Sequence, residues 1–136
     1  MAKQELVAGI EGCQVETVNA NHSAANVGSG LLNVYSTPSL LALIEKTAWN
    51  SVCDCLEEGQ GTVGTSVKLD HVASSPMGMQ VCCETELVAV EGRKLVFKAN
   101  VYNELENDQR ELIATAEHER FIVNNEKFQA KTDAKA

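Results

Sequence analysis

Between Thr37 and about Glu58 runs the one long stretch of this chain with helical periodicity, and its first half is too apolar to lie on a surface. Leu41, Ile44, Ala48, Val52 and Cys55 recur on one face, while Leu40, Leu43 and Trp49 extend the apolar surface around the first half. Thr37 reads as the N-cap, Pro38 as the first helical residue and Gly59 as the stop. Such a helix requires an apolar face of matching length to bury it.

The residues that follow supply that face. Val63, Thr65, Val67, Leu69 and His71 alternate with Gly64, Ser66, Lys68 and Asp70, the period of a strand. After a turn at residues 74–78, two further strand-like runs, 80–90 and 94–103, flank Glu91-Gly92-Arg93. A last long strand is expected over 111–123, beyond the polar turn Asn107-Asp108-Gln109. An apolar stretch over 5–19 and a loop over 21–30 precede the helix. Tight turns between successive strands predict an antiparallel meander. The expected class is α+β, an antiparallel sheet of about five strands wrapped around one long helix. An open sheet leaves an edge that a second copy, side by side, would cover.

With 136 residues and 44% of them hydrophobic, the chain can build one core without disulfides or a structural metal. A single domain is expected over residues 1–130, with a flexible polar tail over 131–136. No apolar run approaches the roughly 18 residues that cross a bilayer, and the first residues lack the order of a secretory signal. The expectation is a cytoplasmic protein that does not engage membrane. Its formal net charge of −8 disfavours nonspecific nucleic-acid binding. Arg93, Lys94 and Lys98 remain available for a nucleotide phosphate, or are ordinary solvated charges. Five cysteines with no C-x-x-C fit reduced thiols better than disulfides or zinc.

Glu45 is the most anomalous residue, because it follows Leu40, Leu41, Ala42, Leu43 and Ile44 inside the apolar half of the helix. A carboxylate there needs a partner or a use, and the partner decides its ionisation. His71 ends the first meander strand with the parity of Val63, Val67 and Leu69, so its ring leans to the apolar side. A histidine near a carboxylate is a familiar acid/base pair. Thr37 caps the helix, and its hydroxyl also sits at the positive end of the helix dipole, where a carbonyl oxygen is stabilised. Gly64, inside a strand, either marks a bulge or admits a ligand close to the backbone. His118, within His118-Glu119-Arg120, reads as structural. The signatures of P-loop, dinucleotide-binding, α/β-hydrolase and zincin proteins are absent, so no cofactor or metal is demanded.

Val27-Gly28-Ser29-Gly30, the run from Tyr35 to Glu45, Thr62-Val63-Gly64-Thr65 and Leu69-Asp70-His71 together resemble the fluoroacetyl-CoA thioesterase-like group of hot-dog proteins. Glu91 to Leu95, His118-Glu119-Arg120 and Glu126 to Lys131 are similar to it too, so the resemblance spans about residues 13 to 131. It implies a hot-dog fold, a side-by-side homodimer with active sites near the subunit interface, and cleavage of an acyl-CoA thioester without a metal. Coenzyme A would be part of the substrate rather than a cofactor. The group's catalytic threonine, glutamate and histidine match Thr37, Glu45 and His71, and its pocket-lining glycine matches Gly64. Leu31 and Tyr35 would also line the substrate site. Leu31 stands where the fluoroacetyl-selective enzyme carries an aromatic gate, which implies a broader short- or medium-chain substrate. A non-catalytic acyl-CoA-binding protein and an enoyl-thioester hydratase are the alternatives, and the intact catalytic set favours hydrolysis.

Overall fold

The computed structural model describes residues 4–136, so residues 1–3 of the expected domain lie outside the described residues. Five strands form one antiparallel sheet: β1 (Glu11–Thr17), β2 (Gln60–His71), β3 (Gln80–Glu91), β4 (Lys94–Glu104) and β5 (Arg110–Asn124), in the order β1-β3-β4-β5-β2. A short helix α1 (Ala24–Val27) precedes the long helix α2 (Thr37–Val52), and α3 (Asn125–Asp133) follows the sheet. The sheet curls around α2, which lies mainly over β1 and β3. This is the expected α+β arrangement.

Helix α2 buries Leu40, Leu43, Ile44, Thr47, Ala48 and Val52, a stripe at three- and four-residue spacing. Leu40 and Ile44 are fully buried, which contributes about 1.5–3 kcal/mol for each side chain. They meet Val81, Cys83, Ala99 and Val101 of β3 and β4. Toward the other end of the helix, Ala48 and Val52 pack with Leu87, Leu95 and Phe97. Gly12 on β1 permits the close approach of α2, since a Cβ there would stand 2.7 Å from Thr85 Oγ1 and 2.8 Å from Ser51 Cβ.

The helix differs from the sequence reading in three ways. First, it ends at Val52 and passes into a 3-10 turn, Cys53–Cys55, instead of running to Glu58. Asn50, Ser51, Val52, Cys53 and Asp54 are all modest helix formers, and Ser51 Oγ bonds back to the Ala48 carbonyl at 2.7 Å. Second, Thr47 takes a buried position, its hydroxyl satisfied by the Leu43 carbonyl at 2.7 Å, while Trp49 is 45% exposed. Third, the N-cap is Ser36, not Thr37: the Ser36 hydroxyl accepts from the Ser39 N–H at 3.2 Å. Thr37 is then the first helical residue, and its hydroxyl is released from capping.

At the other end of the chain, Asn124 caps α3, an exposed helix absent from the sequence reading. The tail expected from residue 131 therefore begins inside its last turns. The thiols of Cys13 and Cys82, on the neighbouring strands β1 and β3, approach to 3.5 Å, and all five cysteines are free.

Pairing across the sheet shows which residues face α2, because directly opposed residues share a face. On β5, Ala114, Ala116, His118, Arg120 and Ile122 face inward. Their β2 partners are His71, Leu69, Val67, Gly64 and Thr62. A bulge between Gly64 and Ser66 absorbs the extra residue. Strict alternation would set Gly64 and His71 on opposite faces and Val63 beside His71. The bulge puts Gly64 and His71 on the same inner face and turns Val63 away.

The relocated cap is open to measurement. Ser36→Ala should lower unfolding free energy by about 1 kcal/mol, whereas Thr37→Ala, which removes no cap and only the exposed hydrogen bond to His71, should cost less. Urea denaturation monitored by circular dichroism checks both, and the reverse ranking would return the cap to Thr37.

Candidate active site

The inner face of β2 and the exposed flank of α2 hold two groups of polar side chains. At the start of the helix, Thr37 Oγ1 and His71 Nδ1 are 2.8 Å apart. The last residue of β2 thus meets the first of α2, beside a cavity of about 350 Å3 lined by Ser36, Thr37, His71, Val72 and Ala73 among others. The other ring nitrogen, His71 Nε2, is shielded from solvent and has no hydrogen-bond partner among the described residues. Burial lowers the His71 pKa from its usual value, with the Ala73 backbone opposing, so the ring is neutral near pH 7.

Two helical turns further along lies the second group. Glu45 Oε2 and Arg120 Nη1 are 3.2 Å apart. The guanidinium is buried, with 7% of its side chain exposed, while 41% of the Glu45 side chain is exposed. Glu45 thus leans out of the apolar helix to meet a cation projecting from β5. Burial lowers the Arg120 pKa and Glu45 opposes that shift; a guanidinium stays charged regardless. Ala42, Glu45, Lys46, Trp49, Thr62 and Arg120 line an open cavity of about 360 Å3.

Gly64 is the floor of this second group. A Cβ at that position would collide with Glu45 Oε2 and come within 3.3 Å of His118 Cε1 and 3.4 Å of Arg120 Nη1. The absent side chain is what lets the carboxylate lie across β2.

Of the sequence-derived candidates, the structure joins Thr37 with His71, and Glu45 with Gly64. It does not join the two groups within this chain. Eight residues of helix separate Thr37 from Glu45, about 12 Å, and Gly64 lies about 20 Å from His71 along the strand. Leu31 is 94% exposed. Tyr35 is buried and lines the cavity beside Thr37 and His71, while its hydroxyl is committed elsewhere, donating to Glu16 Oε2 at 2.6 Å. Lys94 is engaged with Glu91 and Glu119, at 3.6 and 3.8 Å.

Arg120 and Thr62 escape the sequence reading as site residues, and His118 reads there as structural. A signal for them exists: His118 and Arg120 share strand parity with Ala114, Ala116 and Ile122, so two cationic or polar residues stand on an otherwise apolar face. Among the described residues no cluster of three or more metal-ligating side chains occurs, and no helix is long and apolar enough to cross a membrane.

Comparison with known proteins agrees with this fold. The family described as fluoroacetyl-CoA-specific thioesterase matches residues 18–126. The fluoroacetyl-CoA thioesterase of Streptantibioticus cattleyicolor is 31% identical over 102 residues, 75% of this chain and 70% of that one. The solved structure of the fluoroacetyl-CoA thioesterase FlK superposes with a TM-score of 0.87 at 25% identity, covering 98% of this chain and 99% of the other. A mutant of that enzyme, solved in complex with acetyl-CoA, gives 0.85 at 25% identity over 95% and 98% of the two chains. A thioesterase-superfamily member from Thermus thermophilus shares the fold, with a TM-score of 0.86 at 24% identity over 96% and 93%.

Gly64→Ala tests the floor of the second group. The new methyl should displace the flexible end of Glu45 rather than the backbone, so stability should change by less than about 1 kcal/mol. A crystal structure of the variant should show the Glu45 carboxylate swung away from Arg120. An unmoved carboxylate would mean that Gly64 does not shape its position.

Proposed function

The chain belongs to the family of fluoroacetyl-CoA-specific thioesterases, and on that premise we propose that it hydrolyses short- or medium-chain acyl-CoA to the carboxylic acid and free coenzyme A. The observation that carries this reading is the neutral, half-buried His71, tied through Nδ1 to Thr37 at the helix N-terminus with Nε2 left without a partner among the described residues. When Nδ1–H donates to Thr37 Oγ1, Nε2 is bare and can accept a proton from water. The positive end of α2 lies at the same place and favours the oxygen on which negative charge develops. Glu45 supplies the second function, either attacking the thioester carbonyl or acting as base toward the attacking water.

Bringing Glu45 to His71 calls for a second copy, and the reading therefore includes a side-by-side homodimer. Strand β2 is an edge strand with Gly64, beside Glu45, toward one end and His71 at the other. Antiparallel pairing of β2 with its own copy about a two-fold axis sets the Gly64 end of one protomer against the His71 end of the other. Two composite sites result, each drawing Thr37 and His71 from one protomer and Glu45 with Gly64 from its partner. The five free thiols suit a cytoplasmic location.

Glu45→Gln and His71→Ala should each lower turnover at least about a hundredfold without unfolding the chain. Light scattering should find both variants dimeric. Subunit mixing then separates the arrangements. Equal amounts of the two inactive variants, unfolded and refolded together, should recover about a quarter of wild-type activity, because half the dimers are mixed and each holds one intact site. Sites complete within one protomer would recover none.

The acyl preference follows from Leu31, which is 94% exposed and closes no cavity. Acetyl-CoA and longer acyl-CoA should be turned over within about tenfold of the fluoroacetyl-CoA rate. Strong discrimination for the fluorinated thioester, in a thiol-release assay, would show that another residue gates the site.

A further inference from the structure

The hydrogen bonds beneath Glu45 can be accounted for almost completely. Arg120 Nε donates to Thr62 Oγ1 at 2.8 Å, and Nη2 donates to the Thr62 carbonyl at 3.0 Å. Nη1 faces both Glu45 Oε2 at 3.2 Å and His118 Nε2 at 3.1 Å. A guanidinium has only donors, so His118 Nε2 must accept. The proton of the neutral ring is then on Nδ1, which donates to the Ser66 carbonyl at 2.9 Å. Burial and the adjacent Arg120 both lower the His118 pKa, which maintains the neutral form. His118 is fully buried and Arg120 is 6% exposed, so the bonds of Arg120 to Thr62 and His118 are made away from solvent, while those to Glu45 and Ser66 are partly buried. Phe97 packs on the imidazole, with ring centroids 6.2 Å apart.

Ser66 belongs to the β-bulge, and its carbonyl is therefore fixed by the same irregularity that sets Gly64 under the carboxylate. The chain of contacts runs from the bulge carbonyl through His118 to Arg120 and ends on Glu45. Thr62 grips the guanidinium from the other side. A buried arginine with so many fixed donors has little freedom to leave its place, whereas the partly exposed Glu45 has considerable freedom without it.

We propose that His118 is a positioning residue of the thioesterase: anchored on the Ser66 carbonyl, it works with Thr62 to hold the Arg120 guanidinium where it fixes the Glu45 carboxylate. This rests on the hydrolytic reading of Glu45 given above. His118 itself touches neither substrate nor the reacting atoms. Its contribution passes through Arg120, so it should be felt in kcat and should vanish once Glu45 no longer bears a carboxylate.

The test is a double-mutant cycle on the full-length dimer, with thiol release measured for acyl-CoA substrates from acetyl to octanoyl. His118→Leu, which can neither accept from Arg120 nor donate to Ser66, should lower kcat at least about tenfold with KM within about threefold. Thermal melting and light scattering should find it folded and dimeric. His118→Gln, whose amide oxygen can stand where Nε2 accepts, should recover part of the loss. In the Glu45→Gln background, assayed at high enzyme concentration, His118→Leu should cost no more than about a further twofold. A folded His118→Leu with wild-type kcat overturns the proposal, as does the full loss repeated in the Glu45→Gln background. If His118→Leu does not fold, Thr62→Val, which removes the acceptor for Nε, takes its place in the cycle, and the same two results would overturn the proposal. A Glu45→Gln enzyme with near wild-type turnover is a different failure: it removes the hydrolytic reading of Glu45, and with it the role assigned to the clamp.

Discussion

The bulge between Gly64 and Ser66 is the constraint on which the rest of the molecule depends. An unbroken β2 would present Thr62, Gly64, Ser66, Lys68 and Asp70 to the helix, which places Ser66, Lys68 and Asp70 against the apolar core and sends His71 to the opposite face. With one residue absorbed at Thr65, the inner face reads Thr62, Gly64, Val67, Leu69 and His71. Leu69 then packs against the core cluster. A single irregularity thereby reconciles two requirements: a gap in the side-chain layer where Glu45 lies, and a histidine at the strand end that meets Thr37. Bulges re-aim side chains in this way because they shift the strand's parity as well as its twist.

The Glu45–Arg120 pair is better understood as positional than as a source of stability. Glu45 keeps 41% of its side chain in solvent, so screening leaves the ion pair a modest contribution. Burying the guanidinium carries the desolvation cost, and Thr62, His118 and Glu45 between them offset it. The fold thus commits two strands to holding one cation beneath a flexible carboxylate. That arrangement makes sense where the location of the carboxylate matters more than the energy of the pair.

Much of this architecture is legible in the chain. The strand from Val63 to His71, the hairpin at Gly92 and the apolar helix together require a sheet curled on α2, and all are present, although the alternation itself holds only from Val67 to His71. Glu45 announces itself by polarity in an apolar run, and its partner is recoverable too, since Arg120 stands at an apolar parity of β5. What cannot be read depends on backbone detail. A bulge leaves no fixed signature beyond a glycine, so strict alternation assigns Gly64 the wrong face. The choice between Ser36 and Thr37 as cap turns on one residue of geometry, with two good capping side chains adjacent. The helix α3 carries Phe128 as its one large apolar side chain, so no apolar stripe marks it, and only its cap at Asn124 betrays it.

Two histidines on the inner face, one half-buried and one fully buried, share a desolvated ring and have opposite hydrogen-bonding fates. Burial lowers the pKa of both His71 and His118 from 6.5, so both rings are neutral when folded. The unfolded chain takes up protons as pH falls below about 6.5, so acidification through that value works against the fold until the depressed folded-state values are reached. Their roles diverge because of the partners available. His118 uses both nitrogens, one on Ser66 and one on Arg120, and has no lone pair or proton left for chemistry. His71 uses only one, on Thr37, and keeps the other buried and unmatched among the described residues. An unmatched polar atom of that kind costs free energy, and a protein retains it where a substrate, a water or a second subunit completes the set. The same inner face thus carries a histidine that holds and a histidine that waits, distinguished by a single unfilled hydrogen bond.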